Sequence, residues 1–461
     1  IRLSLVGSEM CIRDSHSKFR MRMHGHPRHA PGAPLPCQHM TGTNPHIRLP
    51  LRSVPSWNLS CPRTRWACRA AASLLLAACQ STARPPARPV AAGAAVSATV
   101  QRAVADSLRI VLESAVAEGA FPGGYAVAGT REGIVAEYGA GRLDSADASR
   151  PTAQTVWDLA SLTKVVGTTS AVMQMVATGA IALDTPVVRY LPEWTPRGAA
   201  GVTVRHLLSH HAGLPAWRAL YKEAETPDEA WRLVLATPLD TVPGVRFVYS
   251  DLGFILLGRL VERISGDQLA AYGPRHVFGP AGMRDTRYLP PASWRARTAP
   301  TEQDPWRQRK LRGEVHDENA ARLGGASGHA GLFSTATDLA RFARLYLNGG
   351  RLDGRQVLDS AMIRQFTAVQ NPTVSLRALG WETPTGRNSA GQRLSARAFG
   401  HTGFTGTSLW MDPERNLFVV LLTNRVNPTR QNSRIGAVRS RLADAVSAAM
   451  SGTHPDASPG Q

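Results

Sequence analysis

The sequence predicts an α/β (α+β) fold in which a sheet layer is built from both ends of the chain and a helical insert lies between. Three observations carry that expectation. Strand-like segments stand near the start of the regular region and again near its end. Helical periodicity occupies most of what separates them, and no strand–helix–strand unit repeats along the chain.

The elements follow in order. Val100 to Glu118 reads as an amphipathic helix, with Val104, Leu108, Val111 and Val116 near helical spacing. Gly123–Gly129 and Gly133–Gly139 read as two short strands joined by a turn. Ser161 to Ala177 is apolar and helical, stopping at Gly179, and Val204 to Pro215 is a helix running into a Gly/Pro loop. Asp251 to Ile264 forms another helix, stopped by Gly266. Thr337 to Leu347 is a further one, with Asp338 favouring the dipole in its first turn. Apolar strands at Ser408–Met411 and Leu417–Thr423 precede a terminal helix near Ile435–Met450. Residues 99–450 are thus expected to form the folded domain, with a disordered tail over 451–461.

With 461 residues, 43% hydrophobic and 19% charged, the chain suits a globular protein with a sizeable core. Its 53 basic against 34 acidic residues give a formal charge of +19. The excess is concentrated at one end, since residues 1–100 hold 13 Lys or Arg but only Glu9 and Asp14. The body lacks an Arg-rich helix with interleaved aromatics, so a basic leader explains the charge better than a nucleic-acid partner. All five cysteines (Cys11, Cys37, Cys61, Cys68, Cys79) precede residue 80. A disulfide framework, a Cys-ligated zinc site and a thiol nucleophile are therefore excluded from the body. Neither a phosphate-binding Gly loop nor a dinucleotide fingerprint is present, and no cofactor is expected.

Residues 1–62 show no helical or strand period and are expected to be a non-native or disordered leader. Residues 63–79 have the form of a lipoprotein signal: basic Arg63, Arg65 and Arg69, apolar Ala70–Ala78, then Cys79. Leu76-Ala-Ala-Cys79 resembles a bacterial lipobox, which makes Cys79 the expected lipidation site. No apolar run reaches the roughly 18 residues a span needs, so the expected product is exported, periplasmic and membrane-anchored. Residues 80–98, rich in Pro and Ala, read as a linker.

The chemistry starts from Ser161 and Lys164 in Asp158-Leu-Ala-Ser161-Leu-Thr-Lys164. Three residues apart on one helix face, the amine lies within reach of the hydroxyl. At a helix start the Ser161 N–H is free to meet a developing oxyanion. A buried lysine loses basicity and becomes able to take the serine proton. Lysine is scarce (Lys18, Lys164, Lys222 and Lys310 only), so its retention at 164 in an Arg-rich chain fits a role guanidinium cannot fill. Tyr249, in Val248-Tyr-Ser-Asp251, sits on a loop opening into a helix and can relay a proton if a cation lowers its pKa. Gly400-His-Thr-Gly-Phe404 offers His401 and Thr402 for a substrate carboxylate, flanked by Gly403. The Phe404 N–H would complete an oxyanion hole with Ser161.

Ser161-x-x-Lys164, Tyr249-x-Asp251 and His401-Thr-Gly403 resemble, in order and spacing, the three motifs of the class C β-lactamase-related serine hydrolases. Val156–Lys164, Arg205–Pro215 and Gly328–Phe342 extend the likeness over about residues 100–450. The resemblance implies an antiparallel sheet flanked by helices, a mostly helical second region, and an active site between them. It also implies an acyl-enzyme on Ser161 that water hydrolyses. The family includes D-alanyl-D-alanine carboxypeptidases, D-aminopeptidases, carboxylesterases and β-lactamases. Substrates are therefore expected among D-alanyl peptides from peptidoglycan, esters or amides. The alternatives are a β-lactamase or a catalytically silent penicillin-binding sensor.

Two departures bear on mechanism. Asp251 stands where the second motif usually has Asn; an ionised carboxylate only accepts, and beside Lys164 it would raise the amine and shift the base role to Tyr249. His401 stands where β-lactamases commonly have Lys, so carboxylate binding would weaken as pH rises. Both favour peptidase or esterase over β-lactamase. Gly313–Asn319 reads as a hydrogen-bonded loop near the cleft rather than a metal site. His206, His210 and His211 read as packing and capping residues, while His329 stays open.

Overall fold

The computed structural model describes residues 96–452, except 145, 147, 386 and 387. Cys79, the expected leader and signal, nearly all of the expected linker and most of the tail lie outside the described residues.

The two ends of the domain meet in one sheet. Leu417–Thr423 pairs antiparallel with Ser408–Asp412 on one side and with Gly123–Gly129 on the other. Phe399–Thr402 and Ile134–Gly141 complete the five strands at opposite edges. Side chains alternate between its faces, as the two-residue strand period requires. Ala126, Ala128, Val419 and Leu421 pack on Val104 and Leu108 of helix Ala98–Ala117 and on Val438 and Leu442 of helix Ile435–Met450. Tyr125, Val127, Val420 and Leu422 face the other way, into the core shared with the helical insert. Burial on both faces explains why Leu417–Thr423 is an unbroken apolar run rather than an alternating one.

The insert brings the motif-bearing segments against this sheet. Helix Asp251–Ser265 starts at Ser250, whose hydroxyl accepts from Gly253 N–H at 3.3 Å, and ends at Gly266 with φ +74°. The segment after Ser161 is helical, but Lys164–Thr169 is a π-helical turn before the α-helix Ser170–Ala177. Apolar periodicity foresees a helix there and cannot foresee the wider turn. A small antiparallel sheet of Trp157–Asp158, Leu332–Ser334 and Arg287–Tyr288 fixes the approach to Ser161.

Leu421 is fully buried at the centre of the large sheet, whereas Ile110 is 54% exposed. Denaturant melts should therefore show Leu421→Ala losing about 2–5 kcal/mol. Ile110→Ala should stay within about 0.5 kcal/mol of the parent.

Candidate active site

Ser161 is presented by a strained turn. Ala160 has φ +46°, a region few non-glycine residues enter. Asp158 holds it there: one carboxylate oxygen accepts from Ala160 N–H at 2.8 Å, the other from His316 N–H at 2.6 Å. Burial pushes the Asp158 carboxyl above its ordinary range, and those two N–H donors partly offset the effect.

Lys164 lies one helical step on, its side chain fully buried. Its ammonium donates to Ser161 Oγ at 3.0 Å and to the His329 carbonyl at 3.1 Å, and meets Asp251 Oδ1 at 2.8 Å. Burial alone would lower the amine, but Asp251 and then Tyr249 outweigh it, and the net displacement is upward. The depressed lysine expected from burial is thus corrected by the carboxylate at position 251.

Tyr249 is enclosed. The Lys164 nitrogen lies 5.0 Å from its ring centroid. Burial raises the phenol most, Lys164 pulls it down, and Asp251 raises it again, leaving it above its ordinary value. The cation does act on Tyr249 as the sequence suggested, but it does not prevail.

The third motif lies on the edge strand Phe399–Thr402 and the turn after it. Two threonines staple that turn to the nucleophile's approach: Thr405 Oγ1 donates to Asp158 O at 2.7 Å and Thr407 Oγ1 to Leu159 O at 3.0 Å. Gly403 is needed at this crossing, because a Cβ there would lie 2.3 Å from the Leu159 carbonyl oxygen. Arg439 Nη2 donates to Gly403 O at 2.7 Å and Arg425 Nε to Phe404 O at 2.7 Å, so both carbonyls are engaged by arginines. The Ser161 and Phe404 N–H groups have no hydrogen-bond partner among the described residues. That leaves both free for an oxyanion.

His401 requires a correction. It is 1% exposed, and burial in the first place drives its pKa down to about 3, with Glu382 opposing and Arg377 and Lys164 assisting. Its Nδ1–H donates to Thr402 O at 2.7 Å, so Nε2 is left as an acceptor. His401 is therefore neutral throughout the physiological range. It is not a carboxylate-binding cation, and it imposes no weakening of carboxylate binding as pH rises between 5 and 8. The cation beside it is Arg377, paired with Glu382 at 2.7 Å and lying 5.5 Å from the Tyr249 ring centroid. No local motif announces Arg377 or Glu382, and the sequence reading misses both.

The residues set aside earlier come close to the site. Asp317 caps helix Glu318–Arg322 and meets His329 Nε2 at 3.0 Å, while His316 Nε2 lies 2.9 Å from Glu302. Asp251, Asp317 and His329 bring one potential ligand atom each within 4.8 Å. Protein partners already engage these groups, Lys164 at Asp251 and His329 at Asp317.

The profile of the Beta-lactamase family matches residues 100–443. The chain belongs to the beta-lactamase family. It is a serine hydrolase. Among its relatives, an N-acetylmuramyl-L-alanine amidase of Bacillus subtilis (strain 168) is 33% identical over 304 residues, 59% of this chain and 68% of the relative. A protein of Escherichia coli (strain K12), provisionally named D-alanyl-D-alanine carboxypeptidase, is 30% identical over 312 residues, 60% of this chain and 70% of the relative. In fold, this family member resembles a penicillin-binding protein homolog from Caulobacter crescentus with a TM-score of 0.62. The two are 23% identical, over 75% of this chain and 97% of the other. EstCE1, a hydrolase with promiscuous acyltransferase activity, also gives 0.62 at 22% identity, over 75% of this chain and 99% of the other.

Asp251 raises both Lys164 and Tyr249, so its removal lowers whichever of them must be deprotonated. In Asp251→Asn the acid limb of the kcat/KM profile should move to lower pH by about one unit or more. An unmoved limb would show that neither group's ionisation gates the reaction.

Proposed function

We propose that this serine hydrolase cleaves amide or ester bonds of peptidoglycan-derived D-alanyl peptides through an acyl-enzyme on Ser161. The observation that carries the reading is the buried Lys164 ammonium, 3.0 Å from Ser161 Oγ and 2.8 Å from Asp251. A cation so placed stabilises the serine alkoxide without leaving the site. The names of the two relatives, an amidase and a carboxypeptidase, support a peptidoglycan peptide as substrate.

In this scheme Asp251 keeps Lys164 protonated, and Tyr249, once it has lost its own proton, is the base. Ser161 Oγ attacks the acyl carbon as its proton passes to the Tyr249 phenolate. The carbonyl oxygen gathers charge between the Ser161 and Phe404 N–H groups. The leaving amine or alkoxide takes the proton back from Tyr249 as the bond to the acyl carbon breaks. Water then attacks the ester carbon, giving its proton to Tyr249, which passes it to Ser161 Oγ as the acyl–oxygen bond breaks and so restores both the serine and the phenolate. Thr402 and the neutral His401 border the bound substrate, and no cofactor enters any step.

Export is part of the same proposal. The basic stretch to Arg69, the apolar stretch to Ala78 and Cys79 support a lipid-anchored periplasmic protein. Palmitate labelling should disappear in Cys79→Ser, and its persistence there would overturn the anchor.

Incubation with p-nitrophenyl acetate or a fluorescent penicillin should leave a covalent adduct that mass spectrometry maps to Ser161. Release of D-alanine from a D-alanyl-D-alanine peptide should fall at least about a thousandfold in Ser161→Ala. Absence of both adduct and turnover in the parent would leave only a silent binding domain.

A further inference from the structure

His210 lies in the segment Arg205–Pro215, in the loop that follows helix Val204–Leu208. Its surroundings are specific. The backbone N–H groups on either side of Tyr249 both donate to it: Val248 N–H to the His210 carbonyl at 2.9 Å, and Ser250 N–H to His210 Nδ1 at 3.0 Å. The imidazole itself lies against the Tyr249 ring, with centroids 4.5 Å apart and planes 33° off parallel. On its other contacts it meets Phe254 at 5.1 Å and Phe247 at 6.1 Å. One residue therefore holds Tyr249 by the chain before it, the chain after it and the ring between.

Two further facts show a constrained residue rather than ordinary core filling. His210 has φ +60°, the left-handed region where a non-glycine residue is uncommon. It is also 2% exposed, with Nε2 buried and unpartnered among the described residues. Because Nδ1 accepts from Ser250, the proton of the neutral ring sits on Nε2. The groups that face it are Arg377, Lys164, His401 and His211; with burial they keep the ring neutral, well below its ordinary pKa. A protonated ring would lose the Nδ1 lone pair that Ser250 uses.

We propose that His210 is a positioning residue for Tyr249, a neutral clamp whose Nδ1 and carbonyl fix the base against Ser161 and Lys164. The proposal rests on the reading of Tyr249 as the base, and it goes beyond the packing and capping role that the sequence suggests. A specific substitution pattern follows from the covalent structure of the side chains. Asparagine carries its oxygen on Cγ, where histidine carries Nδ1, and it tolerates positive φ. Glutamine offers the same acceptor one bond further out and misses Ser250 N–H.

The test uses the full chain, p-nitrophenyl acetate as probe, and active sites counted by the burst. His210→Ala and His210→Gln should lose at least tenfold in kcat per active site, with KM within threefold. Their acid limb should move to lower pH, since opening the clamp admits water to a phenol that burial had raised. His210→Asn should keep at least a third of the parent kcat. Should the Ala variant fail to fold, the Asn and Gln pair decides alone. An equal loss in Asn and Gln, an unchanged kcat in Gln, or an unmoved limb would overturn the clamp. Turnover abolished in Ser161→Ala but indifferent to His210 would overturn the clamp only; turnover surviving in Ser161→Ala would overturn the serine reading as well.

Discussion

The ion pair between Lys164 and Asp251 is the constraint on which the rest of the site depends. Closed at 2.8 Å around a fully buried amine, it makes a charge tolerable where the interior would otherwise expel it. Removal of one partner from such a pair typically costs about 3–5 kcal/mol, because the other charge is left buried alone. The pair also decides the chemistry. In the proposed mechanism a lysine held as ammonium does not accept the serine proton and serves as the fixed positive charge beside the alkoxide. Tyr249 is then the remaining group in contact with both. Asp251 is one atom type away from the asparagine usual at this motif position, and in the proposed mechanism that change moves the proton-accepting role from Lys164 to Tyr249.

Around this pair the fold works as a set of staples. The nucleophile's turn is strained at Ala160, and Asp158 holds it with both carboxylate oxygens. The turn after His401 is tied to the same segment by Thr405 and Thr407, and its own carbonyls at Phe404 and Gly403 are held by Arg425 and Arg439. Sliding this turn against the nucleophile's segment would break the buried Thr405 and Thr407 hydrogen bonds. The two free N–H groups therefore keep one geometry. Such preorganisation is what an oxyanion site requires, since donors that must reorient at the moment of reaction stabilise little.

Much of this was legible in the sequence, for reasons that differ by element. The helices Ala98–Ala117 and Asp251–Ser265 carry apolar periodicity and end signals, so local pattern suffices. The strand Leu417–Thr423 was visible as a strand, although its pairing partners on one side lie far away in the sequence, as in the pairing of Ala128 with Val419. Ser161, Lys164, Tyr249 and Asp251 converge because the motif spacing reflects a shared architecture. Electrostatics was the least legible layer. His401 looked like a titrating cation, but burial at the sheet edge, assisted by Arg377 and opposed by Glu382 from a segment without a motif, holds it neutral. The π-helical turn at Lys164–Thr169 was equally hidden, since a wider turn leaves no mark on apolar spacing. The legible part was thus what short-range pattern encodes; the rest depends on which charges the fold brings together.

The scarcity of lysine that first marked residue 164 also supplies the most direct test. With four lysines in the chain, carbon-labelled lysine side chains can be followed individually by NMR across pH, and Lys164→Arg assigns the signal. The ion pair with Asp251 predicts that Lys164 stays an ammonium throughout the neutral range and titrates above the ordinary lysine value of about 10.4. A Lys164 midpoint near or below pH 8 would contradict the account and return the base role to the lysine.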